Sequence, residues 1–136
     1  RRVPLEVATV RLPSGHTLTV PTDAEMLRIK AFLIVRRNQT RDYLDVAALS
    51  DRMGTARAAA TLREIDSYYA DQHGGGDGVA SQVYRQLSDP RPTDSATTSQ
   101  LSRYKNLAAR WQQWPEVRRA CQAVADAMLR GGMRDE

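Results

Sequence analysis

The stretch EMLRIKAFLIV, residues 25–35, is a nearly continuous apolar run with a lysine, Lys30, in its middle. The residues three and four positions from that lysine are Met26, Leu27, Leu33 and Ile34. In a helix the Lys30 amine would therefore belong to a face that should be core. Because an unpartnered ammonium is costly to bury, the amine needs either water at its tip or a nearby anion. The run predicts a core helix and makes Lys30 a candidate site residue.

Residues 1–21, which precede this helix, predict a β-hairpin. Residues 5–12 and 16–20 are rich in Val, Thr and Leu, and Pro13-Ser14-Gly15 between them has turn chemistry. A two-stranded hairpin is marginal alone, so we expect other strands or the helices to cover it. The first residue is Arg1 rather than methionine, so we expect the numbering to begin inside a longer gene product.

From residue 22 onward the pattern predicts about five helices, and hence an α+β fold. Thr22 to Glu25 has the form of a capping box, a second helix is predicted over residues 41–53, and Thr55 can cap a third. Residues 88–99 predict a loop, and Pro115 is predicted to be the first residue of the last helix. The apolar stripes are Ala58-Leu62-Ile65-Tyr69, Val79-Val83-Leu87, Leu101-Tyr104-Ala108-Trp111 and Val117-Cys121-Val124-Met128.

Length and composition predict one domain of ordinary polarity. The 136 residues divide into the hairpin (1–21), a two-helix segment (22–54) and a helical region (55–136), with 41% hydrophobic and 26% charged residues. No apolar stretch approaches the roughly 20 residues of a membrane span, so no membrane partner is expected. A single cysteine, Cys121, fits a reducing cytoplasm, and the Cys and His residues show no metal-ligand spacing. The net charge of +4 permits nucleic-acid binding without arguing for it.

Several other features have simpler interpretations than function. Residues 74–78 are glycine-rich but have no preceding strand and no Lys-Ser/Thr pair, which predicts a linker. His16 and His73 have no nucleophile at a recognisable spacing and are expected at the surface. Trp111 and Trp114 are expected to anchor the core rather than stack bases. Cys121, on an apolar stripe, is expected to be a buried small hydrophobe.

The segment Arg41-Asp42-Tyr43-Leu44-Asp45-Val46 is the main candidate for chemistry. Helical spacing places Asp42 and Asp45 on one face, with Arg41 four residues before Asp45 as a possible ion-pair partner. Carboxylates close to Lys30 could form a structural ion-pair network. They could equally form a phosphate-handling site in which the lysine holds phosphate oxygens and a carboxylate orients the attacking group.

Residues 22–49, with Lys30 and the Arg-Asp-Tyr-x-Asp pattern, resemble the C-terminal half of bacterial nucleotidyltransferase-fold proteins of the AbiEii type, the toxins of type IV toxin–antitoxin systems. The resemblance implies transfer of NMP from an NTP to an RNA such as tRNA, with Mg²⁺ accompanying the NTP and a cognate antitoxin as a possible partner. It implies a catalytic role for Asp42 or Asp45, without deciding between these two candidates, and an NTP phosphate contact for Lys30, to which Arg41 would contribute.

The metal-binding signature of that family, Gly-Ser followed by Asp-x-Asp, is absent from the sequence. Two-metal phosphoryl transfer needs clustered carboxylates, which Asp42 and Asp45 alone do not supply. We therefore expect the chain to be inactive by itself, as a fragment or a degenerate homologue. The alternatives are a catalytically silent helical module that binds a protein through Trp111, Trp114 and the loop around Pro90, or a small basic RNA-binding adaptor. An active site would require the Lys30 amine to open into a groove shared with Asp42 or Asp45.

Overall fold

The computed structural model describes residues 3–70, 78–104 and 107–134, and shows an antiparallel hairpin followed by five α-helices. This confirms the predicted α+β class. The strands are β1 (Val7–Arg11) and β2 (Thr17–Pro21). The helices are α1 (Asp23–Arg37), α2 (Thr40–Met53), α3 (Thr55–Arg63), α4 (Val79–Ser88) and α5 (Trp114–Arg134). Short 3₁₀ turns cover Ile65–Ser67, Ser95–Ser99, Leu101–Arg103 and Ala109–Gln112.

The hairpin forms where the sequence predicts it. Gly15 takes φ of +90°, a left-handed conformation that glycine adopts without steric cost, and its N–H donates to the Leu12 carbonyl at 2.9 Å. In the ladder Val10 faces Leu18 and Thr9 faces Thr19. Because side chains alternate across a strand, one face carries the first, apolar pair and the other carries the second, polar pair. Both strands are largely exposed, so within the described residues neither a further strand nor a helix covers them.

Helix α1 begins as predicted, but only one of the two hydrogen bonds of the predicted capping box is present. The Thr22 hydroxyl accepts from the Glu25 N–H at 3.1 Å, which caps the first turn. The reciprocal bond is replaced by a contact to the hairpin, since Glu25 Oε2 accepts from the Glu6 N–H at 2.8 Å. The helix ends at Arg37 and is capped by Asn38, whose φ of +50° turns the chain toward α2. The two helices therefore pack side by side.

The core lies between the five helices and is built by three of the four predicted stripes. Ala58, Leu62, Ile65 and Tyr69 are all buried although α3 ends at Arg63, because the following 3₁₀ turn continues the same face. The stripes of α4 and α5 are also buried, and Cys121 is confirmed as a buried small hydrophobe. Trp111 is buried, and Trp114 packs edge-on against Tyr43 with ring centroids 6.2 Å apart, which confirms both as core anchors.

The predicted helix through Leu101, Tyr104, Ala108 and Trp111 is wrong. Two separate 3₁₀ turns occupy this region, and Tyr104 and Ala108 are exposed, so the four residues do not share a face. Lys105 and Asn106 lie outside the described residues, as do His73 and all of the predicted linker except Gly78. Smaller differences are that α2 begins at Thr40, that α5 begins at Trp114 and continues past Gly131, and that a 3₁₀ turn interrupts the predicted loop.

No helix within the described ranges is both long and apolar enough to cross a bilayer.

Candidate functional site

A groove between α1 and α2 brings together three of the four residues predicted as a site. The Lys30 Nζ lies 3.1 Å from Asp45 Oδ2, and both side chains are partly exposed, at 23% and 31%. The amine therefore has both water at its tip and an anion at its side, either of which would offset the cost of its apolar surroundings. Arg41 lines the same groove. The expected geometry, a Lys30 amine opening into a groove shared with an aspartate, is present with Asp45 as that aspartate.

The groove has a volume of about 340 Å³ and a mixed lining. Its polar lining is Lys30, Arg41, Asp45 and Arg52, and its apolar lining is Met26, Ala48 and Leu49. The positions follow helical geometry, because residues four apart on α1 and three or four apart on α2 share a face. The sequence analysis named Met26 only as a helical neighbour of Lys30, and it missed Arg52. Arg52 lies seven residues after Asp45, a spacing that could have found it.

The predicted ion pair between Arg41 and Asp45 is wrong. Asp45 pairs with Lys30, and Arg41 is exposed and makes no ion pair with any residue in the described part of the chain. Arg52, at the end of the groove, pairs with Asp23 at 2.6 Å, and both of these side chains are well exposed. Three cations and one carboxylate thus line the groove, and Arg41 is the cation that no carboxylate neutralises.

Asp42 lies outside the groove and has a structural environment. It is fully buried, and the Arg37 guanidinium donates to both of its oxygens, at 2.8 to 3.1 Å. Its Oδ2 also accepts from the Gln39 N–H at 3.3 Å, which closes the first turn of α2. The hydrogen bond to Asp42, with its charge, raises the pKa of Arg37 above its usual value. Asp42 and Asp45 therefore lie in different environments despite their spacing, and a catalytic role for either one stays a prediction.

Buried titratable groups near α2 are held in their neutral forms. Burial raises the pKa of Tyr43 to about 12, and its hydroxyl donates to Asn38 Oδ1. Burial also raises the pKa of Cys121 to about 12, so this thiol is not a nucleophile near neutral pH. Within residues 3–70, 78–104 and 107–134, no three His, Cys, Asp or Glu side chains group together as a metal site.

The surface proposed for the silent protein-binding module is not available as predicted. Trp111 is buried, Trp114 is partly buried against Tyr43, and Pro90 is buried. These residues fill the chain's own core, so they do not form an exposed docking face.

Comparison with known proteins shows that the chain is similar to part of several transport proteins. It is 43% identical over 129 residues to the heme uptake protein MmpL11 of Mycobacterium tuberculosis strain H37Rv, a match that covers 95% of this chain. It is 43% identical over 126 residues to the probable transport protein MmpL11 of Mycobacterium leprae, and 40% identical over 129 residues to the mycolic acid-containing lipids exporter MmpL11 of Mycolicibacterium smegmatis. The chain spans only 12–13% of the length of these relatives. No family model and no solved structure matches it.

These matches show that the resemblance to AbiEii-type nucleotidyltransferases was wrong. Proteins similar over nearly the whole chain are named as transport proteins, not as transferases or toxins. The predicted partners, which were NTP, RNA and an antitoxin, are therefore wrong. So are the predicted NMP-transfer reaction and its alternatives, a silent module or an RNA adaptor. Mg²⁺ was predicted only as the ion that accompanies a bound NTP, and its binding stays an untested prediction. The roles given to Lys30, Arg41, Asp42 and Asp45 lose the reaction they were meant to serve.

Proposed function

We propose that this chain is a domain of an MmpL11-like transport protein, that it lies outside the bilayer on the cytoplasmic side, and that it supports the transport of heme or lipid. The observation that carries the proposal is the 43% identity over 95% of the chain to proteins named for heme uptake, joined by 40% identity to a lipid exporter. Since the chain spans 13% of these relatives, transport itself would be an activity of the longer polypeptide.

The surface chemistry supports a position in water. Exposed ion pairs occur on several helices, among them Arg110 with Asp51 at 2.7 Å and Arg119 with Glu116 at 2.7 Å. Charged side chains facing hydrocarbon are costly, so a surface of this kind suits water. A net charge of +4 and a free thiol at Cys121 suit the anionic, reducing cytoplasmic face of a membrane.

The hairpin is the attachment surface in this proposal. Six of the eight large hydrophobic residues exposed in the described part of the chain lie in or beside it: Val3, Leu5, Val7, Val10, Leu12 and Leu18. Exposed apolar side chains concentrated in one element favour an interaction site, here with Val10 and Leu18 on one face and Val7 on the other, and a lone two-stranded hairpin gains stability from a partner. The occupant we propose is an apolar segment of the same polypeptide, because the matched relatives extend far beyond the segment that this chain covers.

The position relative to the membrane is tested by thiol labelling in the longer protein that contains this chain. A cysteine introduced at the exposed position Arg103 should react with a membrane-impermeant maleimide in inverted vesicles and not in intact cells. The native Cys121 is a suitable background, because its burial leaves it unreactive. Labelling of the introduced cysteine in intact cells would overturn the cytoplasmic position.

The attachment is tested by charging one face of the hairpin at a time. Val10→Lys with Leu18→Glu changes the cross-strand pair on the apolar face, and Thr9→Lys with Thr19→Glu makes the same charge changes on the polar face. We expect the first variant to reduce heme uptake or lipid export while the protein remains in the membrane, and the second to behave as wild type. Equal transport by the two variants would contradict the hairpin as the attachment surface, and wild-type transport after deletion of the whole domain would contradict its supporting role.

A further inference from the structure

The groove between α1 and α2 has binding capacity that its internal ion pairs do not use. Arg41 has no ion-pair partner in the described ranges, so its guanidinium, with five N–H donors, is open to a ligand. Lys30 has three N–H donors and faces a single carboxylate, Asp45. Two cationic side chains on neighbouring helices can therefore donate into the same space.

The rest of the lining limits what an anion at these donors can be attached to. Met26, Ala48 and Leu49 form the apolar part of the groove. No aromatic side chain is among the lining residues, so the groove has no platform on which a nucleic-acid base could stack. A volume of about 340 Å³ is at the small end for ligand sites, which suits one charged group and a short attached hydrocarbon.

We propose that this groove binds an anionic amphiphile, a molecule in which one phosphate or carboxylate group is joined to a hydrocarbon segment. Arg41 holds the oxyanion through the planar fork of its guanidinium, and Lys30 adds a point charge from the facing helix. The hydrocarbon next to the charged group lies on Met26 and Leu49. Asp45 opposes the ligand electrostatically and sets its affinity. The inference comes from the groove alone and does not rest on membership of a transport protein.

Binding is tested on the 136-residue chain by NMR titration and calorimetry with four small probes. Hexyl phosphate and hexanoate should bind saturably, inorganic phosphate should bind more weakly because it leaves the apolar lining unused, and hexylammonium should not bind. Equal binding of hexylammonium and hexyl phosphate would overturn the proposal, because it would show that the cations do not select the ligand. So would an absence of binding by both anionic amphiphiles.

Substitutions locate the binding in the groove. Arg41→Ala and Lys30→Gln should each weaken hexyl phosphate binding about tenfold, as expected for the loss of a charge-assisted contact. Arg57→Ala is the matched control, since it removes an exposed arginine that does not line the groove and leaves the same net charge as Arg41→Ala. Asp45→Asn should tighten binding, a result that a purely structural role for Asp45 does not give. Equal affinities of the Arg41→Ala and Arg57→Ala proteins, both folded by circular dichroism, would refute the assignment.

Vesicle flotation distinguishes a membrane lipid from a soluble amphiphile as the source of the ligand. Vesicles of phosphatidylcholine containing phosphatidylglycerol should carry the chain upward if the groove takes a lipid head group, and Arg41→Ala should abolish flotation. Vesicles of phosphatidylcholine alone should not carry it. Binding of hexyl phosphate without flotation would assign the groove to a soluble anionic amphiphile, and failure of both would overturn the proposal.

Discussion

Replacing Glu25 with alanine should destabilise the protein by an amount that the structure allows to be worked out. Glu25 is completely buried and Arg28 is only 4% exposed. Their side chains meet at 3.3 Å, and the same carboxylate oxygen accepts the Glu6 N–H of the hairpin at 2.8 Å. The substitution removes the carboxylate and leaves the guanidinium buried. This contact links the hairpin to the helices, so both global stability and hairpin order depend on it.

Removing one partner of a buried ion pair costs about 3–5 kcal/mol, because the other charge is left uncompensated. Arg28 would keep a contact to the half-exposed Glu6 carboxylate at 3.4 Å and to the Tyr68 ring at 3.9 Å. We therefore expect the low end of the range, about 3 kcal/mol. With about 2.1 cal/mol/K of unfolding entropy per residue, a chain of this length loses about 10 °C in Tm.

The assay is thermal unfolding followed by circular dichroism, with hydrogen exchange at the Glu6 and Thr22 amides as a local probe. Glu64→Ala, at an exposed glutamate, is the control and should leave Tm nearly unchanged. Replacing both Glu25 and Arg28 with methionine should restore most of the loss, because no buried charge then remains unpaired. A Tm for Glu25→Ala within about 3 °C of wild type would refute the reasoning.

Two further predictions concern the aspartates of α2 and the buried Cys121 thiol and Tyr43 hydroxyl. Asp42→Asn should lower Tm clearly and Asp45→Asn only slightly. The Asp42 carboxylate is fully buried between Arg37 and the N-terminus of α2, whereas the Asp45 carboxylate is partly solvated. Thermal unfolding of the two variants checks this prediction, and equal losses of Tm would contradict it. The urea midpoint of unfolding should fall as pH rises from about 9 toward 12. In the folded protein the pKa of Cys121 is raised from 9.0 to about 12, and the pKa of Tyr43 from 10.0 to about 12. The unfolded chain therefore releases these protons at lower pH, which favours unfolding as pH rises. Cys121→Ala should flatten the lower part of that decline, and an unchanged slope in this variant would exclude the thiol as a cause.

The elements that the sequence predicted well are those in which local chemistry and the core agree. The Pro13-Ser14-Gly15 turn and the Thr22 cap each specify a conformation, and the helices beside them bury the expected faces. The region from Leu101 to Trp111 differs because its two end residues are held by the core while the described backbone on either side of residues 105–106 forms short turns. One of these turns is closed by the Tyr104 N–H donating to the Leu101 carbonyl at 3.1 Å. A stripe at helical spacing cannot distinguish that arrangement from a continuous helix. Pairings between distant residues, such as Arg28 with Glu6, were equally invisible, because they depend on how the hairpin meets α1.

The candidate site shows why a short motif was a poor guide to chemistry here. In Arg41-Asp42-Tyr43-Leu44-Asp45, the first aspartate closes the helix start with Arg37, the tyrosine packs against Trp114, and the second aspartate neutralises Lys30. Asp42, Tyr43 and Asp45 are thus each accounted for by a structural partner within the chain. Sequence reasoning correctly placed Lys30 near an aspartate, since an amine among apolar neighbours is stabilised by an anion as well as by water. It could not choose the reaction, because the same stabilisation holds with or without catalysis. Arg41 is the exception, an exposed cation without an ion-pair partner in the described part of the chain, and the ligand proposed for the groove is therefore best tested at that residue.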